Sequence, residues 1–204
     1  DLKALWDIDI TDYAFAATHD LTYCEPNFKK NLQLEENDTY INTGVMLINC
    51  DYWRNNNVAQ KVLDYAIHNG DKMIAADQDA LNATMQGSFK LFSEEWNVYP
   101  DYFYEKPNLY TNVYPILDEI RRNPKIIHFL YVKPWFNYCN HPLRYLYGKY
   151  YAIAEGKPFI LKRNKESIKR DIARLKHCLL DFMGIKYYYH VYDKRFDNSF
   201  RRFC

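Results

Sequence analysis

Carboxylate and amide side chains lie at points of the sequence where elements of secondary structure are expected to begin or end. Asp77, Gln78 and Asp79 open an apolar helical pattern, and Asn42 precedes an apolar run typical of a strand. Asp20 adds a carboxylate at the end of an earlier strand-like segment. Ligands of open α/β sheets bind at strand ends, where such groups accept and donate hydrogen bonds. Two acids and an amide at one helix start, Asp77, Gln78 and Asp79, make a suitable hydrogen-bonding set for sugar hydroxyls.

Each of these residues also has a simpler structural explanation. Asp77 lies at a plausible helix N-cap, where its carboxylate would accept bonds from backbone N–H groups. Asn42 opens an Asn-Thr-Gly tripeptide, which is ordinary turn chemistry in front of a core strand. Asp20 suits a helix cap or a solvated loop equally well. Gln78, one position beyond Asp77, does not share the capping role.

A second set of candidate residues lies in the apolar segment 125–135. His128 precedes Lys133 by five residues, and Pro134 and Trp135 anchor the lysine. An imidazole and an anchored cation at this spacing suit a metal-bridged phosphate. The alternative is a histidine that only packs within an apolar strand.

The elements that must position these residues alternate between helical and strand patterns, which predicts an α/β fold. Residues 45–48, Val-Met-Leu-Ile, predict a strand that is buried on both faces in the middle of a sheet, with a bulge or close backbone approach at Gly44. The other predicted strands cover residues 13–17, 89–92, 96–99 and 125–132. The predicted helices cover residues 58–69, capped by Asn57, and residues 77–86, 115–124, 142–150 and 164–183, while residues 25–39 are expected to form a mobile loop.

Charge divides the 204-residue chain unequally. Residues 1–156 carry 14 Lys and Arg against 21 Asp and Glu, whereas residues 157–204 carry 13 against 5. This contrast predicts a catalytic or binding domain over 1–156 and a tail for an anionic surface over 157–204. The five cysteines are scattered without CxxC spacing, which favours reduced thiols in a cytosolic protein. No apolar run of the sequence approaches the ~20 residues of a membrane span.

Four sequence blocks, in this order and at these separations, resemble glycosyltransferase family 8, the bacterial lipopolysaccharide galactosyl- and glucosyltransferases. The blocks are LKALWDIDI, YINTGVMLINCDYW, ADQDALN and IIHFLYVKPW, and the resemblance extends from Asp1 to about Glu155. It implies a GT-A-type fold, in which helices flank a mixed central sheet. It also implies a UDP-sugar donor, a divalent metal, usually Mn²⁺, and retention of the anomeric configuration.

The resemblance assigns roles to four residues on the sugar side of the site. Asn42, Asp77 and Gln78 match residues that line the donor sugar, and Gln78 lies on the side from which a nucleophile would approach. Asp20 matches a carboxylate near the donor sugar and the acceptor. Because an amide is a poor nucleophile, front-face departure and attack are expected instead of a covalent intermediate.

The resemblance assigns two further residues to the leaving group. His128 matches the metal-ligating histidine, and Lys133 matches the lysine that contacts the diphosphate. Together they would neutralise charge on the departing diphosphate. The family usually has a glycine and one more residue between these two positions, so the match of Lys133 is weaker than that of His128.

The family's Asp-x-Asp, which supplies the other metal ligands, is expected shortly before the LKALWD block that opens this chain. Asp7 and Asp9 belong to that block and do not replace it. The nucleotide-binding amino-terminal half is therefore expected to be absent, and the isolated chain is expected to be inactive.

The basic tail has two interpretations. Helix 164–183 carries an apolar stripe, which would either pack on the body or contact a membrane. The stripe consists of Ile168, Ile172, Leu175, Leu179 and Phe182. The segment resembles the basic, aromatic carboxy-terminal tails that attach family members to the inner membrane, which implies a cytoplasmic, membrane-peripheral protein. No recognition motif accompanies the charge, and this disfavours nucleic acid as a partner.

The sequence as a whole predicts a retaining hexosyltransferase that uses UDP-galactose or UDP-glucose. Its acceptor would be the lipopolysaccharide core or another glycan. The alternative is a non-catalytic, sugar- or partner-binding remnant of the same fold.

Overall fold

The computed structural model describes residues 1–20, 28–103, 114–137, 139, 141, 143–160 and 165–183. The chain divides into two compact units. The first unit comprises Asp1–Asn97, Asn108–Ile116 and Asn123–Ile126, and the second comprises Val98–Pro107, Leu117–Arg122 and Ile127–Cys204.

Helices and strands alternate in the first unit, as predicted for an α/β fold. Strands β1 to β3 cover Phe15–His19, Ile41–Ile48 and Phe89–Leu91. Helices α1 to α5 cover Lys3–Trp6, Phe28–Asn31, Cys50–Asn55, Val58–Asn69 and Asp77–Thr84. Helices α6 to α8, in the second unit, cover Leu117–Arg122, Arg144–Glu155 and Lys165–Phe182. Short 3₁₀ helices cover Gly70–Lys72, Glu94–Trp96, Pro100–Phe103 and Tyr114–Ile116.

Strand β1 lies at the centre of a mixed three-stranded sheet. It pairs antiparallel with β2 and parallel with β3, and Phe15, Ala16 and Ala17 are fully buried. The prediction that residues 45–48 lie in the middle of the sheet is wrong, because β2 is an edge strand among the described strands. Ile48 at its end is exposed.

The apolar run in β2 is explained by cover on both faces of the sheet. Successive side chains of a strand point to opposite faces. Val45 and Leu47 pack against one cluster and Met46 packs against the other. The first cluster contains Leu5, Ala16, Phe92 and Trp96, and the second contains Ala14, Phe15, Ala17, Ile41, Val58, Leu81 and Met85. Residues 45–48 can therefore all be apolar although β2 is an edge strand.

The pairing of β1 with β2 shifts register where Gly44 lies, as predicted. Ala16 pairs with Leu47 and Thr18 pairs with Asn42, so that Ala17 faces residues 43–46. A bulge of this kind bends the strand and redirects its side chains. The irregularity brings Asn42 opposite Thr18, next to the end of β1.

Two helices follow β2. The first, α3, was not predicted, and Asn49 caps it by accepting a bond from the Tyr52 N–H at 2.9 Å. Trp53 on α3 donates from Nε1 to the Ala14 carbonyl at 2.8 Å, which docks the helix on β1. The predicted bounds of α4 are correct, but Asn57 makes no side-chain cap bond. The chain turns directly from α3 into α4, and Asn57 takes the left-handed conformation that this turn needs (φ 51°).

The described part of the predicted loop 25–39 is a structured segment. Helix α2 ends in a Schellman motif, in which the Leu34 N–H donates to the Lys29 carbonyl at 2.8 Å and Gln33 has φ 59°. The Lys29 ammonium donates to the carbonyls of Glu36 and Asp38. Leu32, Leu34 and Tyr40 form a buried cluster beneath it. Residues 25–27 lie outside the described residues.

Two predicted strands reduce to a single bridge. Val98 and Ile127 pair in parallel, and the described residues around them, within 96–99 and 125–132, form no further ladder. The strand predictions for these two segments are therefore wrong beyond this pair. Short 3₁₀ helices end at Trp96 and begin at Pro100, and Tyr131 has φ 66°, so neither segment can stay extended.

Helix α8 confirms the helix predicted over residues 164–183. Its apolar residues are 45% to 91% exposed, so packing does not cover the stripe. These residues are Ile168, Ile172, Leu175, Leu179 and Phe182. Among the described helices, none combines the length and hydropathy that crossing a bilayer requires. The predicted tail beyond residue 183 lies outside the described residues.

Candidate functional site

A network of hydrogen bonds forms around Asp20 at the end of β1. The carboxylate is buried, and its Oδ2 accepts from Asn42 Nδ2 at 2.9 Å and from Gln78 Nε2 at 2.8 Å. Its backbone N–H donates to the Tyr40 carbonyl at 3.0 Å. A buried carboxylate needs such donors because desolvation otherwise disfavours its charge. Three residues predicted for the site, from β1, β2 and α5, are therefore in direct contact.

Gln78 uses both ends of its side-chain amide within this network. Its Oε1 accepts from the Thr43 N–H at 3.1 Å. Its Nε2 donates to Asp20 and, at 3.1 Å, to the Tyr40 hydroxyl. The amide thus links the bulge of β2 to Asp20.

Asp79 is a member of the network for which the sequence analysis proposed no separate role. It is fully buried, and its Oδ2 accepts from the N–H groups of Ile74 and Ala75 at 2.6 and 2.7 Å. Its Oδ1 accepts from the Tyr40 hydroxyl at 2.5 Å. Burial and this carboxylate raise the pKa of Tyr40 far above its usual range, so the phenol stays protonated and donates. The sequence signal for this role is the position of Asp79. It is the third residue of α5, and an acidic side chain at that position reaches back to the helix start.

Asp77 lies beside this network and contributes no hydrogen bond to it. The predicted N-cap role of Asp77 is wrong, because Ala76 occupies the cap position and Asp77 is the first, exposed residue of α5. Asp79 satisfies the preceding backbone N–H groups instead. Ala76 has φ 47° and ψ −117°, a conformation that strains a residue with a Cβ.

Asn97 is the second residue that sequence reasoning missed. It follows the 3₁₀ helix Glu94–Trp96, is fully buried, and donates from Nδ2 to Asn42 Oδ1 at 2.8 Å and to Thr18 Oγ1 at 3.1 Å. Its place in an apparently apolar segment offered no signal.

The second unit contains the other two predicted site residues. The backbone N–H of His128 donates to the Val98 carbonyl at 2.9 Å, and its ring meets that of Tyr99 edge to face at 6.4 Å between centroids. Lys133 donates from Nζ to the Phe129 carbonyl at 3.0 Å. Tyr131 lies between them in the left-handed region, which favours glycine. Tyr131 thus adopts a backbone conformation that glycine usually adopts.

Arg144, at the start of α7, holds the segment that follows Lys133. Its guanidinium donates to the carbonyls of Pro134, Phe136 and Cys139 at 2.7 to 3.0 Å. Three carbonyls on one planar fork fix the backbone closely. Arg144 is therefore the chief anchor of the segment that contains Lys133, Pro134 and Trp135.

The described residues do not by themselves fit a divalent metal. Within them, no group of three or more His, Cys, Asp or Glu side chains lies close enough to hold one. Asp7 pairs with Lys3, and Asp9 accepts from the Thr11 hydroxyl at 2.6 Å. These two carboxylates are engaged in local contacts.

Comparison with known proteins gives the class and then the family. The fold is similar to that of GT-A glycosyltransferases. A galactosyltransferase, LgtC, solved with donor and acceptor sugar analogues, superposes with a TM-score of 0.60 at 23% identity over 83% of this chain and 60% of LgtC. The glycosyltransferase GlyE of Streptococcus pneumoniae gives 0.56 at 19% identity over 80% of this chain and 41% of GlyE. The model of glycosyl transferase family 8 matches residues 1–139, and the chain belongs to this family.

The chain is also similar in sequence to several bacterial proteins. General stress protein A of Bacillus subtilis is 32% identical over 160 residues, which is 76% of this chain and 55% of that protein. Glycosyltransferase GlyA of Streptococcus pneumoniae is 28% identical over 155 residues, which is 75% of this chain and 20% of GlyA. The chain thus spans about half the length of the first relative and less of the second.

Proposed function

We propose that this chain is the sugar-binding part of a retaining hexosyltransferase that uses UDP-galactose or UDP-glucose. The observation that supports this proposal is the contact of Asp20, Asn42 and Gln78 in one buried network. A hexose presents hydroxyl groups in fixed directions, and a rigid set of donors and acceptors can recognise them with little loss of side-chain entropy. The acceptor would be the lipopolysaccharide core or another glycan.

The hydrogen bonds of Gln78 support an orienting role in this reaction. Its oxygen is occupied by the Thr43 N–H and its nitrogen by Asp20 and Tyr40. An amide held in this way is a poor nucleophile, which favours front-face attack over a covalent intermediate. Asp77 is exposed next to it and is free of this network, so we assign it a direct contact with the sugar.

In the second unit we assign His128 as one ligand of a divalent metal, Mn²⁺ or another, and Lys133 as a diphosphate contact. The other metal ligands would come from outside the described residues. Lys133 now donates to the neutral Phe129 carbonyl. A diphosphate would replace this acceptor because hydrogen bonds between charged partners are stronger.

We further propose that residues 157–204 attach the protein peripherally to an anionic membrane surface on the cytoplasmic side of the inner membrane. The uncovered apolar stripe of α8 and the excess of basic residues support this assignment. A helix with one apolar face and a basic remainder binds at the lipid headgroup boundary.

The alternative is a non-catalytic sugar- or partner-binding remnant. The observation that favours it is the lack, within the described residues, of a three-ligand metal cluster. A protein of this kind would bind a hexose or UDP-hexose without releasing UDP.

Exchange of Gln78 for Ala tests the sugar site in a longer protein that contains this chain and an Asp-x-Asp segment. We expect affinity for UDP-galactose or UDP-glucose, measured by calorimetry, to fall about tenfold, because the loss of these hydrogen bonds costs ~1.5 kcal/mol. Gln86→Ala is the matched control. Gln86 follows α5 by two residues, and its side-chain amide donates to the Thr39 and Asn82 carbonyls instead of to Asp20. Equal affinity in the two variants would contradict the proposed site, and binding without UDP release would favour the alternative.

A further inference from the structure

Asn97 lies behind the sugar-binding network and has no role in the proposed function. It is fully buried, so it cannot touch a bound sugar. Its Nδ2 donates to Asn42 Oδ1 at 2.8 Å and to Thr18 Oγ1 at 3.1 Å. Through Asn42 it is connected to Asp20.

The orientation of the Asn42 amide follows from the donors around it. Asn42 Oδ1 accepts from Asn97 Nδ2 and from the Gly44 backbone N–H at 2.9 Å. If the amide were turned over, its NH₂ group would face two N–H donors. Asn42 Nδ2 must therefore point toward Asp20 Oδ2, where it donates at 2.9 Å.

We propose that Asn97 is a positioning residue that orients Asn42 and, through it, Asp20 for the donor sugar. This inference rests on the proposed function of the site. Asp20 is buried, and two amide groups, those of Asn42 and Gln78, hold its Oδ2. Without Asn97, the Asn42 amide loses one of the two donors that set its direction, and Asp20 loses a well-directed partner. Small displacements of groups that position a substrate lower the rate strongly.

The experiment compares Asn97→Asp, Asn97→Ala and Thr18→Val in a longer protein that contains this chain and an Asp-x-Asp segment. Asn97→Asp keeps the shape but replaces the donating NH₂ group by an oxygen, which repels Asn42 Oδ1. Asn97→Ala removes the donor without burying a charge, so the test does not depend on the Asp variant folding. Thr18→Val is the control, because it removes the hydrogen bond from Asn97 to Thr18 Oγ1 and leaves the bond from Asn97 to Asn42 intact.

The measurements are UDP-hexose turnover with UDP-galactose and UDP-glucose, affinity for UDP alone, and melting temperature. We expect turnover to fall ~10²-fold in both Asn97 variants while affinity for UDP is unchanged, because Asn97 acts only on the sugar side. Thr18→Val should lower the melting temperature and retain turnover.

Turnover that survives in the Asn97 variants, or that falls equally in Thr18→Val, would overturn this inference and leave the proposed function intact. A longer wild-type protein that contains this chain and an Asp-x-Asp segment, yet turns over no UDP-hexose, would overturn the proposed function and the inference with it.

Discussion

Tyr40 connects a buried charge to the candidate site. Its hydroxyl donates to Asp79 and accepts from Gln78, so it joins the carboxylate that holds the start of α5 to the amide that orients Asp20. A buried polar network of this kind is stable when every member is satisfied, and loss of one member leaves others unpaired.

Replacement of Tyr40 by Phe should therefore destabilise the protein and weaken sugar binding. We expect the free energy of unfolding in urea to fall by ~1–3 kcal/mol, because Asp79 loses a donor and Gln78 loses an acceptor. Tyr65→Phe is the control, since Tyr65 makes a longer bond, 3.3 Å, to the Leu32 carbonyl near the surface. An equal loss of unfolding free energy in the two variants would show that the hydrogen bonds of this network contribute no stability beyond that of packing.

His141 is a second buried titratable residue, located in the second unit. Its Nδ1 accepts from the Leu143 N–H at 3.0 Å, and its ring lies between those of Phe103 and Phe129. Burial lowers the pKa of His141 to about 3. The folded protein therefore keeps this imidazole neutral at pH values where the unfolded chain takes up a proton.

Stability should consequently fall as pH decreases from about 6.5 toward 3, since the unfolded state binds the extra proton. Between pH 7 and pH 5, His141 contributes a loss of ~2 kcal/mol, which the variant His141→Phe should not show. Denaturant unfolding at the two pH values measures the difference. His68→Phe, which changes an exposed histidine, should keep the wild-type pH dependence, and the same dependence in His141→Phe would contradict the assignment.

At the scale of elements, α8 and α4 both expose apolar side chains but differ in their surroundings. Ile172 and Leu175 on α8 lie in a strongly basic segment, whereas Leu63 and Ile67 on α4 lie in the acidic part of the chain. Apolar exposure combined with positive charge favours an anionic membrane surface.

We expect the protein to bind vesicles that contain anionic phosphatidylglycerol, with an affinity that falls as salt rises, because each basic residue contributes ~1 kcal/mol that salt screens. The double variant Ile172→Ser, Leu175→Ser should lose this binding in a sedimentation assay. The matched variant Leu63→Ser, Ile67→Ser should retain it. The membrane proposal would be contradicted if binding were absent or independent of salt. Equal binding by the two double variants would also contradict it.

At the scale of the whole molecule, we expect the 204-residue chain to release no UDP from UDP-galactose or UDP-glucose with Mn²⁺ and a lipopolysaccharide core acceptor. Mn²⁺ prefers octahedral oxygen ligands, and the described residues hold no cluster of three side chains for it. A longer protein that contains an Asp-x-Asp segment should be active in the same UDP-release assay. Measurable turnover by the 204-residue chain would show that its own carboxylates suffice.

Local pattern carried most of the information about individual elements. Periodicity and backbone freedom, which are properties of neighbouring residues, predict helices α4 and α8 and the bulge at Gly44. The sequence blocks also indicated the GT-A fold and the family, which the structural neighbours and the family model confirm. Asp20, Asn42 and Gln78 were selected correctly as polar groups at element ends, although their role in sugar binding stays a proposal.

The positions of these elements, and the polar groups that meet, depend on packing between distant parts of the chain. Strand β2 looked central because it is apolar on both faces, but strand order depends on pairing with distant segments, and β1 has the two neighbours. The pattern of Trp96–Tyr99 is typical of a strand, but the segment forms only one β-bridge among the described residues. Its fold brings Asn97 into contact with Asn42, 55 residues away. Hydrogen bonds between side chains so distant in sequence leave no periodic signal, because their geometry depends on the packing of whole elements. Local sequence patterns therefore indicate the family and the candidate residues, whereas tertiary packing brings Asp79 to Tyr40 and Asn97 to Asn42.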